Sequence, residues 1–252
     1  MKYKSILLDV DGTIVPVGPH TIPSEKVVNS IKQAKKKVHV SVASGRPINW
    51  LIDIFKTLEL TDPCILNGGS QIVDPRTEEV LWEKPIEKED LKKLLTIIKR
   101  DKVPFIVNDN GIEYKDPVKL EFEKPLAVQM TYFRSKRASD KCLEVIKNIP
   151  GISAHKFFSW DKDRNYKMDV YITHKEATKQ HAAEELARML RVEASEMVGV
   201  GDSRNDIPFL NVCGLKIAMG NADDKLKNAA HHVVPTVDED GVAYVVEKFI
   251  LS

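Results

Sequence analysis

The sequence predicts an α/β protein whose parallel-sheet core is discontinuous along the chain and is interrupted by an inserted α+β cap. Three observations lead there. Short apolar runs alternate with helically periodic segments over the first third of the chain; near residues 82–87 the texture changes to helices followed by several strands; and the alternation resumes after His174. Strands separated by helices indicate a parallel sheet covered on both faces. A foreign block of about ninety residues is best tolerated at a surface loop. The expected boundaries are 1–82 and 173–252 for the core and 83–172 for the cap.

The elements follow in order. Ser5–Leu8 is an apolar run ending in DVDGT, so a buried strand delivers acids to a loop. Pro23 and Ser24 open a helix with Val27, Val28, Ile31 and Ala34 at helical spacing; VHVSVA is the next strand and SGRP its exit loop. Residues 48–60 again have a helical period, and Cys64–Leu66 is a third apolar run closed by Asn67, Gly68 and Gly69. In the insert, a helix carrying Leu91, Leu94, Leu95 and Ile98 precedes VPFIVND, GIEYK and LAVQMTYF. A second helix over about 138–148 precedes ISAHKFFSW and YKMDVYITH. Helix-then-strands occurring twice suggests a faint internal duplication. A helix over about 178–190, the run MVGVGDS, a short helix from near Asp206 and the strand LKIAMG then rebuild the core. A helix near 225–230, the strand HHVVP and a closing helix from Gly241 complete it.

Composition narrows the function classes. A 42% hydrophobic content over 252 residues supports a sizeable core without disulfides. Lys+Arg 38 against Asp+Glu 37 leaves a net charge of +1 with no long basic block, which argues against nucleic acid as a partner. Cys64, Cys142 and Cys213 are odd in number, widely spaced and form no CxxC pair, as expected of a reducing cytoplasm. The N-terminal apolar run meets Asp9 too early for a signal peptide, and no stretch of roughly 18 apolar residues implies a membrane span.

The chemistry-bearing residues sit at strand ends. In LLDVDGT, Asp9 and Asp11 alternate and so share one side of the strand end. One carboxylate of such a pair can attack phosphorus while the other protonates the leaving oxygen. A calcium loop is a poor fit, because it would need an acid at Leu7 and a glutamate near Gly18. Asp202 and Asp206 add two carboxylates after MVGV, with Asn205 beside the second, and hard oxygen ligands of this kind suit Mg²⁺. VGVGDSRND is not a dinucleotide loop, since Arg204 stands where the third glycine belongs. Ser44, Gly45 and Arg46 follow VHVSVA, where a hydroxyl and free amides could hold phosphate oxygens. Lys179 opens a helix in which Ala182, Leu186 and Leu190 take core spacing, which favours it over Lys175 as the site cation. The adjacent His231 and His232 point to opposite strand faces and read as structural. Phe157, Phe158 and Trp160 read as cap core, while Arg164, Asn165 and Lys167 fall at an expected hairpin turn that could face a ligand.

In order, DVDGT, ASGRP, TKQHAAEEL and GDSRND resemble the four motifs of the haloacid dehalogenase (HAD) superfamily. ILNGG, AMGNA, EDGVA and the placing of the cap resemble its Cof-type, sugar-phosphatase-like branch. That resemblance implies a Rossmann-like parallel-sheet core with a C2B cap. It implies Asp9 as nucleophile, Asp11 as acid/base with its backbone carbonyl also on Mg²⁺, Lys179 as charge stabiliser, and Asp202 with Asp206 on the metal side. Thr13, Ser44, Gly45, Arg46, Asn67 and Asn205 make up the implied phosphate and substrate side. Gln180 follows the motif lysine where the family usually has glycine. The implied activity is hydrolysis of a small phosphorylated metabolite, a sugar phosphate or phosphoglycolate, by a monomer or homodimer. A sugar phosphomutase and a non-catalytic phosphate-sensing module are the alternatives.

Overall fold

The computed structural model describes residues 2–18, 21–116, 121–133, 135–160 and 166–252. The chain divides into two compact units, residues 1–82 with 179–252, and residues 83–178.

In the first unit, β1 (Ser5–Leu8) leads through α1 (Glu25–Ala34) to β2 (His39–Val42). Ser24 caps α1 by accepting from the Val27 N–H, satisfying one of the helix's unpaired first-turn donors. The helix expected over 48–60 is broken. Ile48–Trp50 winds as a 3₁₀ turn after Pro47, Leu51 departs from helical φ at −116°, and only α2 (Ile52–Leu58) is regular. β3 (Cys64–Leu66) follows. No strand is expected over 71–83, yet β4 (Gln71–Val73) and β5 (Val80–Glu83) form a three-stranded sheet with β3 in the order β3-β4-β5. Runs of three and four residues are too short for a two-residue period to stand out.

The second unit runs through α3 (Lys88–Asp101), β6 (Phe105–Asp109), β7 (Ile112–Lys115), β8 (Pro125–Phe133), α4 (Lys136–Ile146), β9 (Ile152–Trp160) and β10 (Tyr166–His174). Its strands form an antiparallel sheet, order β7-β6-β8-β10-β9. Val128 and Met130 of β8 lie opposite Ile172 and Val170 of β10, and this face packs on Leu94 and Ile98 of α3 and on Cys142 and Ile146 of α4. The intervening Gln129 and Asp169 hydrogen-bond to each other at 3.0 Å on the other face. Residues 173–178, expected in the core, belong to this unit. β10 runs on to His174, Lys175 N–H donates to the Gly151 carbonyl at 2.8 Å, and the Thr173 hydroxyl donates to the Ala177 carbonyl. Arg164 and Asn165 lie outside the described residues, as do the side chains of Lys167, Phe157, Phe158 and Trp160.

The first unit resumes with α5 (Lys179–Leu190), β11 (Met197–Gly201), α6 (Ile207–Leu210), β12 (Leu215–Ala218), α7 (Asp224–Ala229), β13 (His232–Val233) and α8 (Gly241–Val245), continued by a π-helical turn over Val246–Leu251. Its main sheet is all parallel, order β13-β12-β11-β1-β2. Ile6 and Leu8 face one apolar cluster with α1, α2 and α8; Leu7 faces a second with α5 and α6. Both faces are covered, as a parallel sheet requires. Among the described residues, no helix is long and apolar enough to cross a membrane.

Candidate active site

The order of the main sheet determines where a site can form. From β1 the chain steps outward to β2 on one side, and after the second unit it returns to β11 on the other. The loops leaving β1 and β11 therefore diverge at a topological switch point, where open α/β sheets place their ligands.

Asp9 continues β1 by one residue, its N–H donating to the Val200 carbonyl at 2.9 Å. Its side chain is buried at 6% residue exposure. Lys179 reaches it from the first turn of α5, with Nζ donating to Asp9 Oδ1 at 2.6 Å and to Asp206 Oδ1 at 2.7 Å. Lys179 is itself 5% exposed and shares the inner face of α5 with Ala182, Ala183 and Leu186. Lys175 is exposed in the other unit. Gln180, in place of glycine, sits on the outer face and bonds Glu184, so the helix start accommodates it.

Asp206 is fully buried and has other duties than an open ligand. Its Oδ2 accepts from the backbone N–H groups of Asp202 (3.2 Å) and Ser203 (3.0 Å), while Oδ1 takes Lys179. Gly201 allows this fold-back, since a Cβ there would lie 2.6 Å from the Asp206 Cβ. One carboxylate oxygen from each of Asp9, Asp202 and Asp206 lies within 4.8 Å of the other two. Burial, then the charge of Asp206, pushes Asp202 up to about 7. Burial and Asp206 likewise raise Asp9 well above the usual carboxylate range, against the pull of Lys179. Burial would lower the Lys179 ammonium, but Asp206 and Asp9 overcome it and raise it. Three carboxylates thus face one ammonium.

The DVDGT turn is built on glycine. Gly12 has φ +81°, and a Cβ on it would lie 2.2 Å from Asp202 Oδ2, so the turn and the second acidic loop approach at the one residue without a side chain. Asn221, which was not among the expected site residues, holds this turn: its amide donates to the Gly12 carbonyl at 2.8 Å and its oxygen accepts from Val237 N–H. Only the AMGNA string hinted at it.

The expected phosphate-side residues divide. Ser44 is buried beyond the end of β2, its N–H bonded to Ile65 and its hydroxyl accepting from Arg46 N–H at 3.1 Å. Gly45 is exposed with open space around it. Arg46 instead pairs with Asp11 through two N–H groups. Asn67 is buried, and its amide donates to Gln71 at 2.9 Å; it joins the Ser44 loop through its backbone. The Thr13 hydroxyl is buried with no hydrogen-bond partner among the described residues. Asn205 is exposed and accepts from the Ser203 hydroxyl. All three cysteines are buried.

A Rossmann-like parallel sheet with an acidic, lysine-paired switch point defines the class. Residues 6–246 match the haloacid dehalogenase-like hydrolases, and the chain belongs to that family. A Bacillus subtilis protein whose phosphatase name is itself an inference is 26% identical over 275 residues, with 99% of each chain covered. A phosphoglycolate phosphatase of Methanobrevibacter smithii is 23% identical over the whole of both chains. A solved sugar phosphatase of HAD subclass IIB superposes with a TM-score of 0.77 at 23% identity, covering 98% of each chain, a likeness of fold.

Proposed function

We propose that this protein is a Mg²⁺-dependent phosphatase that hydrolyses a small phosphorylated metabolite through an aspartyl phosphate on Asp9. The observation that carries the reading is Asp9 itself: a buried carboxylate at a strand end, held by Lys179, with the carboxylates of Asp202 and Asp206 within 4.8 Å. The relatives named phosphoglycolate phosphatase and sugar phosphatase support that substrate class.

The donor set fits a hard divalent cation. Oxygen ligands alone, from three carboxyl groups beside a single ammonium, match what Mg²⁺ prefers. Asp9 and Asp202 are the residues to hold it, with Asp206 already engaged by Lys179 and two backbone N–H groups. Bound there, Mg²⁺ would supply charge neutralisation between Asp9 and the phosphoryl oxygens.

In the first step an Asp9 oxygen bonds to phosphorus as the ester P–O bond breaks, and the leaving oxygen takes the proton of Asp11. In the second, Asp11 accepts a proton from water, whose oxygen bonds to phosphorus as the Asp9–P bond breaks. Asp9 and protonated Asp11 are thereby restored. Lys179 orients Asp9 throughout by its hydrogen bond to Oδ1, and Asp206 anchors Lys179.

Release of inorganic phosphate from a panel of phosphorylated metabolites tests the reading and separates hydrolase from phosphomutase. Asp9→Asn should remove nearly all turnover while leaving the fold intact, and exhaustive EDTA treatment should abolish activity that Mg²⁺ then restores. A folded, active Asp9→Asn protein overturns the mechanism; full activity after EDTA overturns the metal requirement.

A further inference from the structure

We infer that Arg46 is a positioning residue for Asp11 and does not serve as a ligand of the substrate phosphate. The inference rests on the phosphatase reading, because it assigns a part in that reaction. The backbone of Arg46 is pinned on both sides: its N–H donates to Ser44 Oγ at 3.1 Å, and its carbonyl accepts from Asn67 N–H at 3.1 Å. From that base Nε donates to Asp11 Oδ2 at 2.9 Å and Nη2 donates to Asp11 Oδ1. Nη2 also donates to the Gly18 carbonyl at 3.1 Å, which ties the pair to the far end of the DVDGT loop. The Arg46 side chain is only 13% exposed.

A planar fork on both carboxylate oxygens sets the Asp11 side-chain torsions in a way that a point charge cannot. Each oxygen keeps a second lone pair, so a forked carboxyl group can still pass a proton to an oxygen beside it. Asp11 lies on a loop with its side chain 35% exposed, and without the fork it would spread over several rotamers. Ordering it would then fall on the reaction step itself. Arg46 therefore acts through Asp11, and its contribution should scale with how much the leaving oxygen needs a proton.

Phenyl phosphate and p-nitrophenyl phosphate differ little in shape, but phenol is a much weaker acid than p-nitrophenol, so only the first depends heavily on proton donation. Measured as kcat/KM, which ends at departure of the leaving group, Arg46→Ala should lose ~10 to 100-fold on phenyl phosphate. The loss on p-nitrophenyl phosphate should be several times smaller. In an Asp11→Asn background, adding Arg46→Ala should change kcat/KM by less than about twofold, as for residues acting as one unit. Arg46→Lys, which keeps the charge and supports folding if the alanine variant fails, should show the same leaving-group dependence without restoring the rate. Equal losses on both esters, additivity with Asp11→Asn, or full rescue by Arg46→Lys would each return Arg46 to the phosphate and overturn the inference. A wild-type protein that cleaves neither ester, nor any metabolite in the panel, removes the phosphatase reading and this inference together; an active wild type with equal losses removes only the inference.

Discussion

Lys179 stands between two buried carboxylates, and its removal would leave Asp9 and Asp206 facing each other without a counter-charge. Truncating one partner of such a buried group typically costs ~3–5 kcal/mol. Lys179→Met should lower stability by about that amount in metal-free urea unfolding, and a loss under ~1 kcal/mol, typical of a surface pair, would contradict the burial seen here. Gly12 offers a test of a different kind. An alanine there would be strained at φ +81° by ~1–2 kcal/mol. Its Cβ would also displace Asp202, whose Oδ2 lies 2.2 Å from that position. The rise in Tm produced by Mg²⁺ should be smaller in Gly12→Ala than in the wild type. An equal rise in both would separate Asp202 from the cation.

Among the elements, the β4–β5 connection shows how a local ion pair can be read through pH. Asp74 accepts from Arg76 N–H, Nε and Nη2 within the turn, and the side-chain bonds hold its carboxyl at about 2, below the usual 3.8. A depressed carboxyl contributes stability that is complete above its unfolded value and is lost as pH falls through the folded one. The difference in Tm between wild type and Asp74→Asn should therefore narrow as pH drops from about 4 toward about 2. Arg76 is largely exposed, so the gap should be small at its widest. A gap that stays constant over that window would show the pair to be silent. The same strands account for the main omission at this scale: their pairing is decided by the sheet they join, β4 against β3 and β5 against β4, not by a pattern of their own. α5 is the opposite case. Lys179, Ala182, Ala183 and Leu186 recur at i, i+3, i+4 and i+7 on the buried face of α5, while Lys175 lies before the helix begins and is exposed.

At the scale of the molecule, the two compact units have separate apolar clusters. Leu94 is fully buried in the cluster of the second unit, and Leu94→Ala should cost ~2–5 kcal/mol. In native-state hydrogen exchange, protection should fall across 83–178 more than across the β1, β2 and β11 strands. A uniform loss over the whole chain would mean that the units unfold as one. The alternation of short apolar runs with helical periods made the parallel core legible from the residues, because strand and helix periods are local properties. The motif acids stood out as candidates because alternate residues at a strand end can share a side, but β1 stops at Leu8, and among the described residues the close carboxylate group is Asp9, Asp202 and Asp206, without Asp11. What Asp9, Asp202 and Asp206 do to one another was not legible, because those residues are up to 197 positions apart and meet only where β1 lies beside β11. Arg46 shows the same limit: its type suited phosphate, and only the approach of the Ser44 loop to the DVDGT loop turned its fork onto Asp11. The sequence by itself determined which groups are present and which elements carry them. Their partners were decided by the tertiary structure, since hydrogen bonds and charge coupling act over a few ångströms whatever the separation along the chain.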